Sequence, residues 1–204
     1  IVDRFGRALA ISVPVSSVWI HPEKTQIWAD TDVVKVAKIL GVNQNFVRKK
    51  IKQKSYFVYL KRRISPNVRD QLVSLSLPGV HFVQEPKRYY PMGEIIAPVL
   101  GFTGVNDHGL EGLEVSYDAW LSGAEGVQIV EQDPAGHVLA VEKVVHRAHP
   151  GKTLVLSIDH RLQMFAYQAL SEGVKKAHAA SGSVVVLSPK TGEILAMANY
   201  PSFN

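Results

Sequence analysis

A break at Pro150-Gly151 divides the chain into two stretches in which apolar residues follow different rules. Before it, short strand-like and helix-like runs alternate, each closed by glycine or proline. After it, one strand-like run, Thr153–Ile158, leads through Asp159, a good helix N-cap, into a long amphipathic pattern carrying Leu162, Phe165, Ala166, Ala169, Leu170 and Val174 on one face. A hairpin follows, Ser183–Leu187 and Glu193–Ala198, around Ser188-Pro189-Lys190-Thr191-Gly192. No run approaches the roughly 18 consecutive apolar residues of a membrane-spanning helix. These features predict an α+β chain with a domain boundary near Gly151.

Residues 8–20 form a β-branched strand, in which Pro14 marks an edge or a bulge. From Asp32, Val33, Val36, Ala37 and Leu40 keep helical spacing until Gly41, and a second short helix runs from about Asn43 to Lys52. A strand at Tyr56–Leu60, a helix opening at Ser65-Pro66 and a strand at Val80–Gln84 come next. Glu111–Leu121 reads as one helix. Val127–Gln132 and Val138–Val145 read as a hairpin turning at Asp133-Pro134-Ala135-Gly136.

Charge is unevenly spread. The chain has a formal net charge of +5, yet the segment Lys35–Arg63 alone contributes ten cations and no acid. Arg48, Lys49, Lys50 and Lys52 head the candidates for partner binding there. Residues 33–52 also have helix-turn-helix spacing, with Gly41 at the turn and a basic second helix. That pattern suits DNA phosphates, but only Asn43, Gln44 and Asn45 offer amides to read bases, and any two short helices around a glycine look alike.

A search for catalytic groups yields none. Lys190-Thr191-Gly192 is the triplet of penicillin-recognising enzymes, but no serine in the chain has lysine three residues later, so the nucleophile motif is missing. The triplet reads as a hairpin turn. His146-x-x-His149 has metal-compatible spacing, but only Glu142 lies near in sequence, and no metal or cofactor is expected. The lack of cysteine suits an oxidising compartment.

Several blocks, in order, resemble class B penicillin-binding proteins, the single-pass membrane transpeptidases of peptidoglycan synthesis. The opening VDRFGRALA supplies Asp3, Arg4 and Gly6. RYYPMGEIIAPVLGFTG supplies Arg88, Tyr90, Pro91, Gly101 and Gly104. NDHGLEGLEVSYDAWLSGAEG supplies Gly109, Glu111, Gly112 and Glu114, and its wording is similar to the septal branch. TLVLSIDHRLQ, containing Asp159, and SGSVVVLSPKTGEILAMANYPSFN resemble the start of the penicillin-binding domain. The resemblance covers the chain except about residues 21–86.

The resemblance implies an elongated, strand-rich pedestal (dimerisation-type) domain over residues 1–151 with a small helical head insert at about 21–86. Residues 152–204 are then the first strand, helix and hairpin of an incomplete transpeptidase domain. It also implies that Arg4, Arg88, Glu111 and Glu114 pair to fix the junction, and that the serine nucleophile lies beyond Asn204. The parent would acylate serine and bind penicillin, and this chain would bind neither β-lactam nor nucleic acid. Implied partners are septal membrane proteins, among them a polytopic peptidoglycan glycosyltransferase, and a second copy of the chain. The implied location is the periplasmic face of the bacterial inner membrane, held there by an anchor preceding Ile1.

Overall fold

The computed structural model describes residues 1–124, 126–132 and 138–203. Backbone packing divides the chain into two compact units, one of Ser12–Lys87 and one of Ile1–Ile11 with Arg88–Asn204.

The unit Ser12–Lys87 is built on three strands, β1 (Ile11–Ile20), β2 (Val58–Ile64) and β3 (Val80–Tyr89), in the order β2-β1-β3. Between β1 and β2 come α1 (Pro22–Thr25), α2 (Asp30–Leu40) and α3 (Gln44–Ile51), and α4 (Pro66–Ser74) precedes β3. Alternation along the strands sends Val18, Ile20, Val58, Leu60 and Ile64 to one face. There they pack with Val33, Val36, Ala37 and Leu40 of α2, Val47 of α3 and Leu72 of α4. Gly41 ends α2 with φ +63° and nothing within 4 Å of a Cβ placed on it, so its role is backbone freedom alone. Asn43 caps α3 by accepting from the Asn45 N–H, and Ser65 caps α4 by accepting from the Val68 N–H.

Two strands outrun their expected ends, β2 to Ile64 and β3 to Tyr89. The extensions are rich in cations, which an apolar-alternation count passes over. Arg62 nevertheless belongs in the strand, because Glu85 on β3 neutralises it. Pro14, expected at an edge or a bulge, lies in the central strand β1 but ahead of Ser16, where the β1–β2 pairing starts, so the side of β1 toward β2 is open at the proline.

In the other unit, Ile1, Leu9, Ala10, Ile96, Leu100 and Ile158 form the core. A 3-10 turn (Gly93–Ile95) leads into α5 (Ala97–Leu100), then α6 (Gly112–Ser116), α7 (Asp118–Ser122), the antiparallel hairpin β4 (Val127–Gln132) and β5 (Val138–His146), α8 (His160–Lys176), and the antiparallel hairpin β6 (Gly182–Leu187) and β7 (Ile194–Tyr200). The expected turn Asp133-Pro134-Ala135-Gly136 lies outside the described residues.

Three expectations change here. The single helix expected over Glu111–Leu121 is two helices that break at Tyr117 (φ −117°, ψ 21°). Beyond the break, the Asp118 carboxylate is turned to the preceding loop, where it accepts from the Gly109 N–H at 2.8 Å and from His108 at 3.0 Å. Thr153–Ile158 is no strand but extended chain with one parallel bridge, Val155 to Val2. Its backbone partners are Val2 and Arg4 of the opening segment: Val2 N–H donates to Leu154 O and Leu156 N–H to Val2 O, both at 2.9 Å, and Arg4 N–H donates to Ile158 O at 3.0 Å. Finally, α8 packs against β6 and β7 through Gln163, Tyr167 and Val174, while Phe165 stays 62% exposed. The expected apolar stripe of α8 is thus only partly covered: Val174 is buried and Ala166 and Leu170 are half-buried, whereas Leu162 and Ala169 stay exposed like Phe165.

Candidate functional site

The sequence-predicted positions gather in two buried clusters of one unit and on one surface of the other. The first cluster is centred on Asp3, which is fully buried. One of its carboxylate oxygens accepts from the Phe5 and Arg7 N–H groups, both at 2.8 Å, and Gly6, at φ +80°, closes the turn by donating to the Asp3 carbonyl. The other oxygen meets His160 Nδ1, on the first turn of α8, at 2.9 Å. The far ring nitrogen of His160, Nε2, meets the Arg7 guanidinium. Burial by itself would raise the Asp3 carboxyl, but the Arg7 and Phe5 N–H groups and His160 outweigh it and hold it below its ordinary range. Beside this cluster Asp159 caps α8 by accepting from the Arg161 N–H at 2.9 Å.

The second cluster is the ion pair of Arg88 with Glu114, 2.8 Å apart, with side chains 13% and 3% exposed. Burial, and then the Glu114 charge, push the Tyr90 phenol above its usual range. Pro91 follows, exposed, just past the end of β3.

The expected four-membered network of Arg4, Arg88, Glu111 and Glu114 is a pair instead. Arg4 reaches Glu193 in the β6–β7 turn at 3.5 Å, and Glu111 is exposed at the N-cap of α6. What fixes Glu111 in place is its backbone. A Cβ on Gly101 would lie 1.8 Å from the Glu111 carbonyl oxygen, and one on Gly112 would lie 2.6 Å from the Gly101 nitrogen. Gly109 is equally confined, 2.1 Å from the Glu114 oxygen by the same construction. These glycines mark close backbone contact.

In the unit Ser12–Lys87, the named cations lie on and just beyond α3. Arg48 pairs with Asp30 at 3.0 Å, Lys50 sits over the Phe46 ring at 5.3 Å, and Lys49 and Lys52 are exposed. Sequence reasoning missed a buried polar group on the opposite face of the sheet. Glu85 there accepts from Ser17, Tyr59 and Arg62. Burial alone would raise its carboxyl, but the donors, Arg62 foremost, bring it down to about 2. A second omission is Gln163, fully buried, whose amide donates to the Ile95 and Met197 carbonyls at 2.7 and 2.8 Å and accepts from the Met197 N–H at 2.8 Å. The visible signal for Gln163 was a polar residue four positions before Tyr167, on the same helical side.

Lys190-Thr191-Gly192 occupies the β6–β7 turn, closed by Ser188 N–H to Glu193 O at 2.9 Å, with Gly192 at φ +73°. The Thr191 hydroxyl donates to Glu193 at 2.9 Å. Among the described residues no three His, Cys, Asp or Glu side chains come together to hold a metal, and no helix is long and apolar enough to cross a membrane.

Residues 1–156 match the family described as the penicillin-binding protein dimerisation domain. The chain belongs to that family. It is 40% identical over 211 residues to the peptidoglycan D,D-transpeptidase FtsI of Escherichia coli, covering 100% of this chain and 36% of that protein. It is also 37% identical over 209 residues to the probable peptidoglycan D,D-transpeptidase PbpC of Pseudomonas aeruginosa, again covering 100% of the chain and 36% of the relative. Among solved structures, penicillin binding protein 2X from Streptococcus thermophilus superposes with a TM-score of 0.68 at 24% identity, over 100% of this chain and 34% of that one, a likeness of fold. The sequence thus spans little more than a third of the length of its relatives, 36%.

Proposed function

We propose that this chain is the non-catalytic scaffold region of a peptidoglycan D,D-transpeptidase that builds cell wall at the division septum. The observation that carries the reading is the 40% identity to such an enzyme across the whole chain, in a sequence with no Ser-x-x-Lys. Acyl transfer needs an activated nucleophile, and a framework without one positions and docks. In this reading residues 1–151 are an elongated pedestal with a head at about 21–86, and 152–204 begin the transpeptidase domain. The Asp3–His160 and Arg88–Glu114 contacts support it, because each joins a family-motif residue to an element distant in sequence. A buried pair of this kind fixes register more than it adds stability.

The region is placed at the periplasmic face of the inner membrane, below a catalytic domain that binds penicillin. It docks septal membrane proteins, including a polytopic glycosyltransferase, and a second copy of itself. Incubation with a fluorescent penicillin, with a full-length class B enzyme as positive control, should leave the chain unlabelled. A covalent adduct on the chain would refute the reading.

A second reading, nucleic-acid binding through residues 33–52, has α2, the Gly41 turn and basic α3 in its favour. Against it, the Asn43 side chain is used as the α3 cap and Arg48 is engaged by Asp30. A salt-dependent shift of duplex DNA that discriminates between sequences would restore it.

A further inference from the structure

The six residues between α3 and β2 combine two properties that a merely solvated face does not. The first is charge. Lys49 and Lys50 close α3, where the helix dipole favours cations, but Lys52 and Lys54 lie beyond the helix, outside that explanation. The unit Ser12–Lys87 carries thirteen cations against five acids, and none of the acids lies between Lys35 and Arg63. The second is aromatic surface held in place. Tyr56 is 75% exposed yet packs edge-on against His21, with ring centroids 5.5 Å apart. Phe57 is 43% exposed yet stacks on Trp19 at 4.5 Å, and Trp19 stacks in turn on His81 at 4.4 Å.

Fixed aromatic rings in the same six-residue loop as Lys52 and Lys54 have the makings of a protein–protein interface, in which aromatic anchors lose little conformational entropy on binding and charges set orientation. We propose that Lys52, Lys54, Tyr56 and Phe57, all in the loop that leads into the edge strand β2, form a docking surface for an acidic segment of a partner protein that also carries apolar side chains. Charge complementarity selects the acidic partner. The rings select an apolar-bearing peptide over a membrane surface, because Phe57 is stacked on Trp19 of β1 and is not free to insert into lipid, and Tyr56 rests edge-on against His21 just past that strand. The inference deepens the scaffold reading by naming a surface and a partner chemistry. It does not depend on penicillin labelling, so the two fail separately.

The test uses the full chain and a fluorescein-labelled 20-residue peptide of alternating acidic residues and leucine, with binding followed by anisotropy at two salt concentrations. Binding should weaken with salt. It should fall at least tenfold in the double variant K52E/K54E, and at least tenfold in Tyr56→Ser, a substitution at a largely exposed position. Phe57→Ser serves as a second aromatic variant if its circular dichroism matches the parent. Equal binding of a polyglutamate of the same length, or unchanged binding by Tyr56→Ser, would reduce the surface to bulk electrostatics and overturn the proposal. Tighter binding to duplex DNA or to vesicles rich in phosphatidylglycerol would overturn it as well.

Discussion

Replacing Arg88 by alanine should remove the cation from Glu114 while leaving the acid where it is. The Glu114 side chain is 3% exposed and that of Arg88 13%, so water cannot replace the lost partner without local opening. Breaking a buried ion pair from one side costs about 3–5 kcal/mol, more than the net value of the pair, because the remaining charge is left desolvated. At roughly 1.4 kcal/mol per factor of ten, amide protons of α5 and α6 should exchange about a hundred- to several thousandfold faster than in the parent. Hydrogen exchange read by mass spectrometry on peptides spanning Ala97–Leu100 and Gly112–Ser116 measures this directly. The double variant R88A/E114A is the discriminating control. With neither charge present, the desolvation penalty disappears, and most of the loss should be recovered. Unchanged protection in R88A, or a double variant as damaged as the single one, would refute the reasoning that each buried charge depends on the other.

Two further outcomes follow from the same physics. The Glu85 carboxyl sits at about 2 in the fold against an ordinary 4.5, so its contribution to stability, on the order of 3 kcal/mol, is complete above about 4.5 and lost as pH falls toward about 2. Urea melts of the parent should weaken through that window, and Glu85→Gln should remove that part of the pH dependence. Glycine substitutions should sort by surroundings rather than by backbone angle. Gly41→Ala meets open space and should cost about 1 kcal/mol for its left-handed φ, whereas Gly101→Ala also drives its Cβ to 1.8 Å from the Glu111 oxygen and should cost roughly 3 kcal/mol or more, measured by chemical denaturation.

Where a local signal was sufficient, the sequence was read correctly. Gly41 ended α2, Asn43 and Ser65 opened α3 and α4, Asp159 capped α8, and Ser188–Glu193 turned a hairpin, since each depends on backbone groups within a few residues. Motif order likewise led to the family. Misreadings arose where a distant partner set the outcome. Thr153–Ile158 had strand composition but found only a short partner, Val2 and Arg4, beside it, and α8 buried Gln163 in preference to Phe165 because the β7 backbone and Ile95 offered matching hydrogen bonds.

What sequence determined alone, then, is the caps and turns that start and stop the elements, the cationic run from Lys35 to Arg63 and the absence of Ser-x-x-Lys, all properties of neighbours along the chain. Tertiary structure decided which acid meets which cation. Arg88 takes Glu114, Arg4 takes Glu193 and Arg62 takes Glu85, partners 26, 189 and 23 residues apart. Pairing of buried charge is settled by distance and desolvation in three dimensions, and neither quantity is written in residue order.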